Sequence, residues 1–257
     1  GNPDLSWMYG KFVPWGSGVD CWYPMKESSA REIMDIWNGW RKTGIKINYR
    51  PNYLLSGYVI PALELAQSGE MLQFAGANGM MGFDYDSLLG YWATKGPMLY
   101  MHMRLGTDPS LSIDKINEEY YAAFGPAAED VRKYFDYWIE YTRKLPHGGV
   151  EYRNAQQAAE FYPPEVFSEP EKILSLALDK AVESPRPEFA ERVRFLRNGL
   201  KHGKLAAEFS LLFQRNEFSA ASRKLDELIA FRRAHENDFI ADYCAAQMAE
   251  EGGYKGL

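Results

Sequence analysis

The amino-acid sequence predicts an α/β layer over residues 1–110 followed by an all-helical domain over residues 111–257. Two observations carry this division. Six of the seven tryptophans fall in the first 100 residues, and the first 110 residues hold nine basic and ten acidic side chains against 20 and 25 in the remainder. The hydrophobic period changes at the same place. Short apolar runs alternate with helical stretches in the first part, whereas three-and-four spacing runs unbroken through the second.

In the first part, Ser29 and Glu32 form a capping box ahead of Ile33, Ile36, Trp37 and Trp40, which share one helical face, and Gly44 ends the helix. Ile45 to Arg50 reads as a short strand. Pro61 opens a second helical stretch, interrupted near Gly69 and finished by about Ala77. Gly79 to Asp84 reads as a second strand, whose inner glycine points to close backbone approach.

In the second part, Ser112 caps a helix bearing Ile113, Ile116, Tyr120 and Phe124. Gly125-Pro126 stops it and starts the next, with Val131, Tyr134, Phe135 and Trp138 in register. A third helix runs from Pro170, and a fourth carries Phe189, Val193, Leu196 and Leu200. A fifth starts after Asn216 and extends toward Met248. Five amphipathic helices of this length form a bundle.

With 257 residues, 46% hydrophobic and 25% charged, the chain is long and apolar enough for a full core. A net charge of −6 and no basic cluster argue against a nucleic-acid partner. No apolar run reaches the roughly 18 residues of a membrane span. Cys21 and Cys244 stand in no metal or redox spacing, and His102, His147, His202 and His235 are isolated. No phosphate-cradling glycine loop with its lysine is present, so no metal and no cofactor is expected. The chain opens without Met and without a signal-peptide pattern, and Gly1 reads as an expression scar or a processed end.

Helix and strand at roughly 30-residue spacing is the rhythm of βα units, about 31 residues each in a closed (β/α)8 barrel. Residues 1–110 supply three or four such units, which fits either a small open α/β layer or the C-terminal part of a barrel. A resemblance decides for the second. Trp92, the Lys95-Gly96 turn, an aromatic-rich strand from Met98 to Arg104, the Asp108-Pro109-Ser110 turn and Phe124 to Ala128 between two helices together resemble a segment of glycoside hydrolase family 163, endo-acting β-N-acetylglucosaminidases of bacteria. Trp37, Trp40, Tyr49, Pro61 and Gly79 to Gly82 sit where that family has its late strands. Arg192-Val193, Phe195-Leu196 and Gly199-Leu200 look like its helical tail, so the resemblance spans about residues 20–215. It implies the C-terminal part of a (β/α)8 barrel followed by a helical bundle, an oligosaccharide substrate bound at the strands' C-terminal ends, and a periplasmic, cell-surface or secreted address. By the same resemblance, the family's earlier strands, expected to carry at least one catalytic carboxylate, have no counterpart in this sequence.

Glycoside hydrolysis requires a general acid and a second carboxyl group, or a carboxylate that orients the acetamide of an N-acetylated sugar. Asp84 and Asp86 follow a strand and, in extended chain, share one side about 7 Å apart. The alternative is that Asp86-Ser87 caps the next helix. Tyr49, Arg50 and Tyr53 close the other strand, where a guanidinium binds a sugar or serves as a structural ion-pair partner. Trp15, Trp22, Tyr23, Tyr58 and Trp92 are candidate sugar platforms, since a pyranose packs its C–H face on an aromatic ring. Glu32, Asp35, Glu64 and Glu70 read as solvated helix faces. The expected function is therefore part of a glycoside hydrolase acting on N-acetylhexosamine-containing glycans, inactive as this chain alone. Its rivals are a non-catalytic carbohydrate-binding or interaction module and a helical scaffold.

Overall fold

The computed structural model describes residues 4–6, 8–14, 24–51, 58–85, 92–146, 155 and 158–253, and these described residues form three short strands and ten α-helices. β1 (Tyr9–Phe12), β2 (Lys46–Tyr49) and β3 (Met80–Phe83) lie parallel in the order β1-β2-β3. They are joined through α1 (Glu27–Arg41) and α2 (Leu65–Ala77). Parallel pairing requires such crossovers, because the chain must return to the starting end before each new strand. Gly44 and Gly79, at φ +80° and +82°, make the two turns out of these helices.

Side chains alternate across the sheet, so the register assigns each face. Lys11 lies beside Asn48, Asn48 beside Gly82, and Tyr9 beside Lys46. The opposite face carries Phe12, Ile47, Tyr49 and Phe83. Phe12 and Tyr49 meet the buried Trp37 of α1 edge to face, at centroid distances of 5.4 and 5.9 Å. Trp37 also donates its indole N–H to the carbonyl of Asn78. Phe83 presses on Gly106 of α3 (Trp92–Thr107), where any larger residue would collide with its ring.

α3 links the sheet to the helices that follow: α4 (Ile113–Ala122), α5 (Ala128–Arg143), α6 (Ala158–Phe161), α7 (Ser168–Val182), α8 (Pro187–Gln214), α9 (Phe218–Ala234) and α10 (Tyr243–Gly253). A 3-10 turn at Gly125–Ala127 joins α4 to α5, with Gly125 at φ +55°. Aromatic rings fill the centre of this body. Trp138 of α5 is fully buried, in contact with Tyr134, Tyr162 and Phe167, while Tyr137 and Tyr141 donate to the carbonyls of Val166 and Phe161. One continuous apolar core runs from Phe12 to Ala246.

This architecture corrects the expected barrel fragment. The described residues are 70% helical, and the sheet has only three strands. A barrel's inner face is filled by branched apolar side chains; here the corresponding face bears Tyr9, Lys11, Lys46 and Asn48, all exposed. The segment from Met98 to Arg104 is not a strand but the middle of α3. That helix is packed on nearly all sides and contains Pro97, so it shows no single apolar stripe. Ser29 does not cap α1, which begins at Glu27, and Gly69 lies inside α2 without interrupting it. Trp40, expected in the core, is about half exposed. The helix expected to reach Met248 stops at Ala234, and α10 starts anew at Tyr243.

Candidate functional site

The polar face of the sheet ends in an ion pair. Lys11 of β1 reaches across β2 to place its Nζ 2.7 Å from Oδ2 of Asp84, just past β3. Both side chains are a little under half exposed. Asp84 is fixed from behind, because its backbone N–H donates to the Tyr49 carbonyl at 3.0 Å. Its Oδ1 turns inward and has no hydrogen-bond partner among the described residues. Between the two charges, Asn48 sets its Oδ1 against Gly82, where a side chain would crowd it. Tyr9 extends the face and holds the Lys46 ammonium over its ring, 4.9 Å from the centroid.

The remaining expected site residues are distributed unevenly. Tyr49 is fully buried among Phe12 and Trp37, so it supports the sheet from the covered face and does not line a sugar site. Arg50 follows β2 and its backbone N–H donates to Phe12. Trp92 stands about half exposed at the start of α3. Asp86, Tyr53, Trp15 and Trp22 lie outside the described residues, as does Tyr23. Tyr58 is not a platform: it is buried at φ 45° and engaged with Glu250 and Arg232.

Two buried groups escape the sequence reading, Glu64 and a cluster around Arg232. Glu64, expected on a solvated face, immediately precedes α2 at the end of the layer where the strands finish, and it is buried. Burial pushes its carboxyl up to about 7; Arg143 pulls against that rise and Glu140 adds to it. It packs toward the end of α5, where the neighbouring Leu63 N–H donates to Thr142. His102, expected on a strand, is buried in α3 and stacks on Tyr85 at 5.7 Å, and burial draws it down to about 3.

The second group is a clasp. Arg232 of α9 forms a two-pronged pair with Glu250 of α10, at 2.8 Å through Nη1 and 2.5 Å through Nη2. Its Nε donates to His202 Nε2 of α8 at 2.9 Å, which makes that nitrogen the acceptor of a neutral ring. Burial and the adjacent guanidinium hold His202 well below the usual histidine range. The Tyr58 hydroxyl donates to Glu250 from the far side. Beside the clasp, Leu225, Ile229, Tyr243 and Cys244 line a groove of about 770 Å³. With every strong donor of Arg232 engaged, the arrangement anchors α10 and leaves little hydrogen-bonding capacity for a ligand. No sequence pattern announces it, since its members are up to 192 residues apart.

Among the described residues no group of three His, Cys, Asp or Glu is placed to hold a metal ion. No helix among them is long and apolar enough to cross a membrane. Comparison with family models, with curated proteins and with solved structures finds no match to this chain.

Proposed function

We propose that the chain is part of a glycan-acting protein, a glycoside hydrolase of N-acetylhexosamine-containing glycans, with its sugar laid on the polar face of the parallel sheet. The observation that carries this reading is the half-exposed Lys11–Asp84 pair at the strands' C-terminal ends. Parallel sheets are ordinarily covered on both faces, and the cover expected here is polar, because the face offers an ammonium, a carboxylate, an amide and a phenol. Sugar hydroxyls and acetamides match those groups, and Tyr9, about two-thirds exposed, supplies a ring for a pyranose face. Asp84, seated by Lys11, is then the carboxylate that orients an acetamide N–H.

Binding of a β-linked N-acetylglucosamine trimer, followed by saturation-transfer NMR and calorimetry, tests the proposal. Asp84→Asn and Lys11→Met should each weaken binding about tenfold, the value of one charge-assisted hydrogen bond. Absence of saturable binding to the unaltered protein would sink it. A purely binding role is the second reading, favoured by one fact: Asp84 is the only carboxylate on the three strands or on the residue following each. Turnover separates the two. Asp84→Asn in the protein of the full reading frame should abolish glycan cleavage if the chain serves an enzyme.

A further inference from the structure

A basic groove lies on the helical body, away from the sheet. It runs between α7 and α8, has a volume of about 670 Å³, and is bordered by Lys172 on one side and by Arg194, Arg197 and Lys201 on the other. On α8 these three cations fall at i, i+3 and i+7, so they share one helical stripe. All three are exposed. Neither Arg194 nor Arg197 forms an ion pair among the described residues, although Glu191 stands one turn before Arg194. The single carboxylate of the groove, Glu171, is neutralised by Lys204 at 2.8 Å. Lys172 is shared with Glu169 at 3.3 Å. A chain of net charge −6, whose sequence shows no basic cluster, thus gathers one in the fold: Arg194 and Arg197 stand unpaired among the described residues, while the Lys201 ammonium lies 5.4 Å from the centroid of the Phe231 ring.

We infer that this groove binds an acidic oligosaccharide carrying a carboxylate or sulfate on alternate sugars. Three features select that ligand. The guanidinium forks pair with planar carboxylates and with sulfate oxygens. The span from Arg194 to Lys201 is about 10 Å along the helix, the length of a disaccharide repeat. Ser168 and Ser175 also line the groove, with hydroxyls that suit sugar hydroxyls, and Asn198 lines it with its amide nitrogen 3.4 Å from His235 Nδ1. None of the described residues that line the groove is aromatic, so among them it has none of the stacking platforms on which single-stranded nucleic acid depends. The inference stands on the groove alone and goes beyond the sheet reading.

Calorimetric titration with hyaluronan and chondroitin sulfate tetrasaccharides at low salt is the test, with neutral chitotetraose, inorganic sulfate and a short single-stranded DNA as comparisons. An acidic tetrasaccharide should bind saturably and weaken as salt rises. Arg194→Ala and Arg197→Ala should each cost about fivefold and together about twentyfold, the scale of exposed ion pairs. Ser175→Glu keeps every cation but places a negative charge among them, and should weaken binding comparably. All three positions are exposed, and an unchanged melting temperature would show that folding is intact. The inference fails if neither acidic tetrasaccharide binds, if the groove variants bind as the unaltered protein does, or if Asp84→Asn weakens binding in their place. It fails equally if inorganic sulfate or the DNA matches the tetrasaccharides, since the groove would then recognise charge alone.

Discussion

The sheet face and the α9–α10 clasp both hold a cation against a carboxylate, yet they do so under opposite conditions. Lys11 and Asp84 meet in water, where an ion pair contributes about 0–1 kcal/mol and each partner keeps part of its hydration. Arg232 and Glu250 meet at about 10% side-chain exposure, where removing one partner strands the other's charge in a poorly solvated place. The difference teaches which pair a ligand can use. An exposed pair can exchange its water for a polar ligand, whereas the buried pair is already engaged by Tyr58 and His202.

Four experiments sharpen or break this contrast. The largest effect is expected at neither pair but at the aromatic centre of the helical body: Trp138→Ala should cost about 3–5 kcal/mol in urea unfolding. A loss below about 1 kcal/mol would mean that this centre repacks freely. Glu250→Leu should cost about 3 kcal/mol, and Arg232→Met added to it should restore much of that loss. If the double variant is instead as unstable as the sum of the singles, the clasp is not a charge-coupled unit.

The third effect depends on pH. The Glu64 carboxyl titrates near 7 in the folded protein against an ordinary value of 4.5. The folded state therefore holds a proton that the unfolded chain has lost, and stability falls as pH rises from about 4.5 to about 7. Glu64→Gln should add about 1–2 kcal/mol at pH 8 and nearly nothing at pH 4. A gain independent of pH would assign the effect to packing. Smallest of all, Asp84→Asn should change stability by less than about 1 kcal/mol while reducing glycan binding. A large loss of stability would make the pair structural and weaken the contrast at its root.

Much of the fold was legible in local pattern. Ile45 to Arg50 and Gly79 to Asp84 contain β2 and β3, and the turn at Gly125-Pro126 lies where it was expected. β1 was not legible, because Tyr-Gly-Lys-Phe buries only Phe12 deeply and its partners arrive 37 residues later. α3 was misread because a helix covered on most sides loses the one-sided stripe by which helices are recognised, and Lys95-Gly96-Pro97 imitates a turn. The barrel expectation extended a true local rhythm of strand and helix beyond the point where the chain becomes wholly helical. Asp84 was visible as a carboxylate after a strand; its partner Lys11 was not, because only the closed sheet brings residues 73 apart into contact. Glu64 was placed in solvent by its helical neighbourhood, since nothing in the sequence around it reveals Thr142 or Arg143 overhead.

The clasp also determines where the chain can be cut. A version ended just ahead of α10 would keep all three strands, α8 and α9, and most of the apolar core. It would nevertheless leave Arg232 facing His202 and the Tyr58 hydroxyl with no carboxylate between them. The cost would not be confined to the lost helix. Tyr58 sits at a backbone angle that few side chains adopt, and without Glu250 its hydroxyl loses the acceptor that rewards that conformation. Shortening the protein at one end should therefore loosen the segment that leads into α2, almost two hundred residues away along the chain.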